Sequence, residues 1–216
     1  MIHSNKFGEI KILEDKEYFQ DKVISLAMSG GADSTLLCYL IAKAIYDGNM
    51  NTAIWPMNGY DISLPHDSLK LIKVIEFINN RFPEVDLKYP ISVVFDGQGE
   101  DVKNDYLRPL RDTLCEQGAY DIWMVGINQG PTLEIQKKEF PTVKRLAGYT
   151  LSEQLLAPEL NAPFVNQDKR FIVQCYKDLG LLDLYHTTSS CTQSDPGCNE
   201  CWFCHERAWA EKEVLE

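Results

Sequence analysis

"SLAMSGGADSTLLCYL", residues 25–40, carries an apolar run into two glycines and then resumes with helical spacing. The preceding "KVISLAM" (Lys22 to Met28) has the length and apolar content of a buried strand. After the turn, Leu36, Leu37, Leu40, Ile41 and Ala44 fall on one helical face that closes at Gly48. Strand, glycine turn and helix start together form an anion site. Backbone N–H groups and the positive end of the helix dipole converge there, and two glycines let the chain fold closely round a phosphate. Ser29, Gly30, Gly31, Ala32, Asp33 and Ser34 are the candidate contacts, with Thr35 as a further hydroxyl. A γ-phosphate transferase loop needs a Lys just before its Ser or Thr, and Ala32-Asp33 stands there instead. An Asp-Ser helix cap is the plainer account of the same residues.

The pattern repeats outward from this turn. "NTAIWPMNG" reads as a strand and "HDSLKLIKVIEFINNRF" as a helix closed by Pro83; "KYPISVVFDG" and "EDVKNDYLRPLRDTLCEQG" form a third pair, and "YDIWMVGI" a fourth strand. Pro109 inside the third helix pattern predicts a kink or split. Strand and helix alternating in this way predict an α/β fold, a doubly wound parallel sheet covered on both faces. Residues 127–165 hold four prolines and little periodicity, which predicts a substrate-facing excursion. "DKRFIVQCYKDLG" is the final helix before a cysteine-rich tail.

The chain has 216 residues, 44% of them hydrophobic, enough for one sizeable core, and a formal net charge of −11. That charge disfavours binding along a nucleic-acid backbone. No stretch reaches the roughly 20 apolar residues of a membrane span, and "MIHSNKFGEIKILEDKEYF" is too charged for a signal peptide. The expectation is a soluble, cytoplasmic protein acting on small molecules, with its oligomeric state open and a homodimer among the options.

Of seven cysteines, Cys38, Cys115 and Cys175 stand singly among apolar residues and read as core, while Cys191, Cys198, Cys201 and Cys204 crowd together. Two-residue gaps let successive thiolates turn to one tetrahedral ion, with Pro196-Gly197 supplying the bend. Four thiolates close the zinc coordination sphere, which makes the metal structural. An iron–sulfur cluster uses the same ligands. The expected organisation is a nucleotide-binding domain over 1–186 and a metal-binding segment with a helix over 187–216.

"SGGADS" resembles the pyrophosphate loop (PP-loop) of the N-type ATP pyrophosphatases, of the adenine nucleotide alpha hydrolase-like, Rossmann-like fold. The tail narrows the resemblance to the 7-cyano-7-deazaguanine synthases of queuosine biosynthesis. "DKRFIVQCYKDLGLLDLYHTTSSC" looks like that family's Lys-bearing helix followed by its Thr-x-Ser-Cys approach to the zinc, at Thr188, Ser190 and Cys191, and Arg207 matches the Arg after the last zinc ligand. The resemblance implies an ATP-dependent carbon–nitrogen ligase. It would adenylate 7-carboxy-7-deazaguanine, admit ammonia, and release AMP and pyrophosphate, with ATP, Mg²⁺ and Zn²⁺ as cofactors. On it, Ser29, Asp33, Ser34 and Lys169 are catalytic, and Asp33 helps carry Mg²⁺. Gly126 joins the nucleotide site, while Asn128, Glu134, Arg170 and Arg207 contact the acid. His186 and Glu139 are further polar candidates.

The middle departs from the family. "GIN" at 126–128 is similar to its Gly-Val-Asn, but "QGPTLEIQKKEFP" replaces the Asp-Tyr-Ser-Gly-Tyr-Pro-Asp-Cys-Arg run that reads the substrate base. An AMP-forming enzyme with another acid or amine, or a nucleotide-binding module without turnover, are the competing readings. Sulfur transfer would need a reactive cysteine outside the metal set.

Overall fold

The computed structural model describes residues 1–61, 66–95, 107–143, 160–191 and 197–216. A small antiparallel hairpin, β1 (Ile2–Asn5) and β2 (Gly8–Lys11), comes first, then a single helical turn, α1 (Lys16–Phe19). The main sheet begins with β3 (Val23–Ala27), which leads through the glycine turn into α2 (Ala32–Gly48). β4 (Ala53–Asp61), α3 (His66–Arg81), β5 (Asp86–Leu87) and β6 (Ile91–Phe95) follow on one side. α4 (Arg108–Glu116), β7 (Ile122–Val125), α5 (Leu133–Glu139) and β8 (Leu160–Asn161) lie further along. Three helices close the described chain: α6 (Lys169–Asp178), α7 (Leu182–Thr187) and α8 (Trp202–Leu215).

All pairings in the main sheet are parallel, in the order β5/β6–β4–β3–β7–β8. The chain therefore starts in the middle, builds to one edge, and returns to the other side of β3. This is the doubly wound arrangement, and its order reverses between β3 and β7. β5 and β6 are successive partners of the same strand, at Ala53–Ile54 and at Met57–Asp61 of β4. Ile54 accepts from Lys88 N–H on this outer side, while Met57 accepts from Met28 on the inner side. Pro56, two residues after Ile54, thus turns its missing N–H outward into the gap between β5 and β6, where no ladder bond is lost.

Alternation sorts the sheet's residues to two faces. Ile24, Leu26, Ile54, Ile122 and Met124 join the larger core with α2, α3, α6 and α8; Met57, Trp123, Val125 and Ala162 form the smaller one, against Leu110 and Leu114 of α4. The α2 positions Leu36 to Ala42 are all buried, so the middle of this helix is enclosed on every side, and its last turn, with Tyr46 and Asp47, reaches solvent. α8 packs on α6, and its Trp202, Trp209, Ala210 and Val214 belong to the same core as the sheet.

Several expectations need correction. Pro109 sits at the start of α4, where a missing N–H costs nothing, and produces no kink in the described part of that helix. The start of that helix pattern, residues 100–106, lies outside the described residues, as does Pro196. The excursion over 127–165 contains α5 and contributes β8 to the sheet beside β7; residues 144–159 lie outside the description. Cys115 is exposed on α4, whereas Cys38 and Cys175 are buried as expected. α4 turns Leu110 and Leu114 to the sheet, which leaves the next residue, Cys115, toward solvent.

Candidate nucleotide site and cysteine centre

In a doubly wound sheet, ligands sit beyond the carboxyl ends of the strands where the order reverses. Here that place is bounded by the Met28–Ala32 turn after β3 and by Gly126–Asn128 after β7. Gly30 adopts a positive φ of 72°, a backbone that glycine reaches without strain. Gly31 caps α2 without any side-chain hydrogen bond, so the helix opens with its first N–H groups directed at the turn. Ser34 holds the turn's shape: its hydroxyl donates to the Gly31 carbonyl at 3.2 Å and accepts from Ser29 N–H at 3.2 Å, with the two serine oxygens 3.4 Å apart.

Gly126 is required by close approach. A Cβ at this position would lie 2.8 Å from the Ser34 backbone nitrogen and 2.9 Å from the Asp33 carbonyl carbon, so β7 ends directly against the first turn of α2. Gly126→Ala is expected to push these elements apart, costing roughly 1–3 kcal/mol and weakening ATP binding. Urea unfolding and ATP titration would check it; wild-type values for both would mean that the two elements separate freely.

α6 completes the site from far along the sequence. Asp168 caps it, accepting from Arg170 N–H at 2.9 Å, and this places Lys169 in its first turn, 3% exposed. Lys169 Nζ donates to Asp33 Oδ2 at 2.5 Å. Tyr176, two turns along on the same face, donates its hydroxyl to the Ala32 carbonyl at 2.8 Å, and burial holds that phenol far above its ordinary pKa, so it remains a donor. Among the described residues, Asp33 Oδ1 is buried with no hydrogen-bond partner, as is the Asn128 side-chain Nδ2. A buried carboxylate oxygen without a donor is chemically suited to a hard cation such as Mg²⁺.

The structure therefore brings together Ser29, Gly30, Gly31, Ala32, Asp33, Ser34, Gly126 and Lys169, with Asn128 two residues beyond Gly126 and 6% exposed. Other candidates stand elsewhere. Arg170 pairs with Asp168 at 2.6 Å and lies between the rings of Trp209 and Phe7, 4.8 and 5.0 Å away. Glu134 is exposed on the first turn of α5, and Glu139 is paired with Lys138 at 3.0 Å. Arg207 spans α7 and α8: it donates to the carbonyls of Thr188 at 2.9 Å and Tyr185 at 3.2 Å, and to Glu211 at 2.9 Å. Arg207 and His186 also line a cleft of about 410 Å³ bordered by Lys70, Lys73, Cys191 and Cys204.

The sulfurs of Cys191, Cys198, Cys201 and Cys204 all lie within 4.8 Å of one another. Cys198 and Cys204 are 4.0 Å apart, Cys201 and Cys204 3.5 Å. Tetrahedral Zn–S bonds of about 2.3 Å would set such sulfurs roughly 3.8 Å apart, so the four side chains fit one ion. Backbone N–H groups of Cys198, Glu200 and Cys201 donate to sulfurs at 3.2–3.4 Å, the polarity that thiolates require. Burial pushes the Cys204 thiol up to about 12 and raises Cys201, a cost that a bound cation reverses.

Sequence reasoning missed the link between the two centres. Ser189, two residues before Cys191, donates its N–H to the Gly30 carbonyl at 3.1 Å, and its own carbonyl packs 3.3 Å from where a Gly31 Cβ would stand. The stretch leading to the cysteines thus forms one wall of the glycine turn.

Comparison with known proteins agrees with these features. Residues 138–215 match the family model described as queuosine biosynthesis protein QueC. No curated protein matches the chain by sequence. Among solved structures, the U34-tRNA thiolase NcsA from Methanococcus maripaludis, described with its [4Fe-4S] cluster, superposes with a TM-score of 0.51 at 17% identity, over 90% of this chain and 64% of the thiolase. That match speaks to the fold alone, and the chain spans under two thirds of the thiolase's length. More distant are a universal stress protein in complex with cAMP (TM-score 0.37, 12% identity, 68% of this chain and 98% of that one) and the NAD+ synthetase of Burkholderia pseudomallei (0.36, 11%, 81% and 61%). The chain has a doubly wound α/β fold like that of the thiolase, and its residues 138–215 resemble the queuosine biosynthesis protein QueC family.

Proposed function

We propose that the protein is an ATP-dependent carbon–nitrogen ligase that converts 7-carboxy-7-deazaguanine and ammonia to 7-cyano-7-deazaguanine, releasing AMP and pyrophosphate. One observation carries this reading: the glycine turn, the Asp33–Lys169 pair and Gly126 converge where the strand order reverses, and the last helices that build this wall fall within the QueC-matching residues. The QueC match and the PP-loop fold support ATP use.

The residues suit the chemistry. A carboxylate oxygen attacks the α-phosphorus of ATP, and pyrophosphate leaves. Its growing charge falls on the turn's N–H groups, on the Ser29 and Ser34 hydroxyls and on Lys169, all held in place before reaction. Mg²⁺, when bound, neutralises phosphate charge, with Asp33 as its protein ligand. Ammonia then displaces AMP from the acyl carbon to give the amide. A second ATP activates the amide oxygen, and loss of AMP leaves the nitrile. Asn128, with its buried unpartnered Nδ2, is the proposed donor to the acid's ring. Glu134, Arg170 and Arg207 are the further proposed contacts of the acid; without it, Arg170 is held by Asp168 and Arg207 by Thr188, Tyr185 and Glu211.

At the cysteines, four sulfurs within 4.8 Å support one Zn²⁺ over a cluster, whose several irons hold thiolates farther apart. No helix among the described residues is long and apolar enough to cross a membrane, in keeping with a cytoplasmic enzyme on small molecules.

Incubation with ATP, Mg²⁺, ammonia and the acid labelled with ¹⁸O in its carboxylate tests the reading. The label is expected in AMP and not in pyrophosphate, and the nitrile should form. ADP and orthophosphate as products would end the proposal. AMP release with a different acid only would support the second reading, an AMP-forming enzyme with another acceptor. That reading is favoured by the replaced segment, which folds as α5 and anchors Phe140 5.0 Å from Trp202. For sulfur transfer, Cys38 and Cys175 offer no accessible thiol, both being buried and raised by that burial, which leaves Cys115 on α4 as the exposed cysteine outside the four-sulfur set.

A further inference from the structure

Resting on the nucleotide-binding reading of this site, we infer that Lys169 holds the metal position of the empty site, so that the divalent cation enters only together with nucleotide. The Lys169 ammonium sits on Asp33 Oδ2, the carboxylate that would serve the metal, and is 3% exposed. Asp33 itself is partly accessible, its side chain 22% exposed, and its other oxygen, Oδ1, has no partner among the described residues. A cation approaching the nucleotide-free protein meets a carboxylate whose charge is already neutralised, with an ammonium at hydrogen-bonding distance. It would have to displace that ammonium, which has no other acid within reach among the ion pairs of the described residues. The repulsion between Mg²⁺ and the buried ammonium in a low-dielectric wall keeps the metal out.

Nucleotide removes the obstacle. Its phosphates, seated on the turn between Ser29 and Ala32, offer Lys169 several anionic oxygens, while Tyr176 keeps α6 fastened to the turn through the Ala32 carbonyl. Rotation about the lysine's own side-chain bonds shifts the ammonium from carboxylate to phosphate, and Asp33 becomes available to the cation. Each ligand thereby raises the other's affinity by the same factor. The site never presents a naked metal to water, and it never presents unshielded phosphate to Asp33.

Mn²⁺ binding followed by electron paramagnetic resonance tests this without turnover. The Asp33-dependent signal is the part lost in Asp33→Asn, which removes background from the acidic surface. In the wild type that signal is expected only when a non-hydrolysable ATP analogue is present. In Lys169→Met it should appear without nucleotide, with Mn²⁺ affinity at least ten times that of the nucleotide-free wild type. Lys169→Arg, which keeps the charge, should exclude the metal as wild type does and covers the case in which the Met variant misfolds. Asp33-dependent Mn²⁺ binding to the nucleotide-free wild type at the affinity seen with the analogue would overturn the inference, as would a folded Lys169→Met that still needs nucleotide. If instead no acid yields AMP in the activity assay, the proposed function falls while the metal result stands.

Discussion

Asp33→Asn is expected to lower turnover by about a thousandfold, in line with the loss of one preorganised electrostatic contact at a reacting phosphate. The substitution keeps the side chain's size and removes its charge. Asn can still accept from Lys169 through its amide oxygen, so the buried ammonium retains a partner and the fold should survive, with an unchanged far-UV dichroism spectrum. What is lost is the carboxylate that would hold Mg²⁺ and the oxygen now left buried without a partner. The steady-state rate should also lose its dependence on Mg²⁺ at Asp33, visible as a flattened Mg²⁺ titration. A variant within threefold of wild type would remove Asp33 from the chemistry altogether.

The second large effect belongs to the cysteines. Cys201→Ser should reduce bound zinc from about one per chain to nearly none by elemental analysis, because three thiolates leave the ion open to water and exchange. Cys201 is also the N-terminal cap of α8, which carries Trp202 and Trp209 into the core, so the end of the helix beside the lost ligand should loosen. The expected signature is red-shifted tryptophan fluorescence and an early melting step that precedes unfolding of the sheet. The sheet itself should hold, since α2 and α3 still cover β3 and β4 in the shared core when the first turn of α8 loosens. Iron with inorganic sulfide in the wild type, or an unmetallated wild type that is stable and active, would reject the zinc assignment.

What the sequence discloses here follows the range of the interactions. The β3–turn–α2 unit is legible because its signals are local: an apolar run, two glycines and a helical repeat within twenty residues. The cysteine centre is legible for the same reason, since three ligands lie within seven residues. Lys169 came only from family resemblance, because nothing in "DKRFIV" says which of two adjacent cations turns inward. Successive helix residues point about 100° apart, so Lys169 faces Asp33 while Arg170 goes to Phe7 and Trp209. The hairpin at the start was missed because "IHSN" and "GEIK" are short and polar, and β8 because two residues carry no period. The Ser189–Gly30 bond joins positions that no pattern relates.

That wall of late residues bears on the order in which the protein is made. The glycine turn is synthesised long before its partners: Lys169 and Tyr176 follow the residues they meet by 136 and 144 positions, and Ser189 comes later still. A nascent chain carrying β3, α2 and β4 has the glycines and the helix dipole but neither the lysine nor the tyrosine that fixes Ala32. On the proposed function, ATP favours the native state only after α6 has docked, and until then the growing chain depends on hydrophobic contacts or on other proteins to protect its unfinished sheet edges.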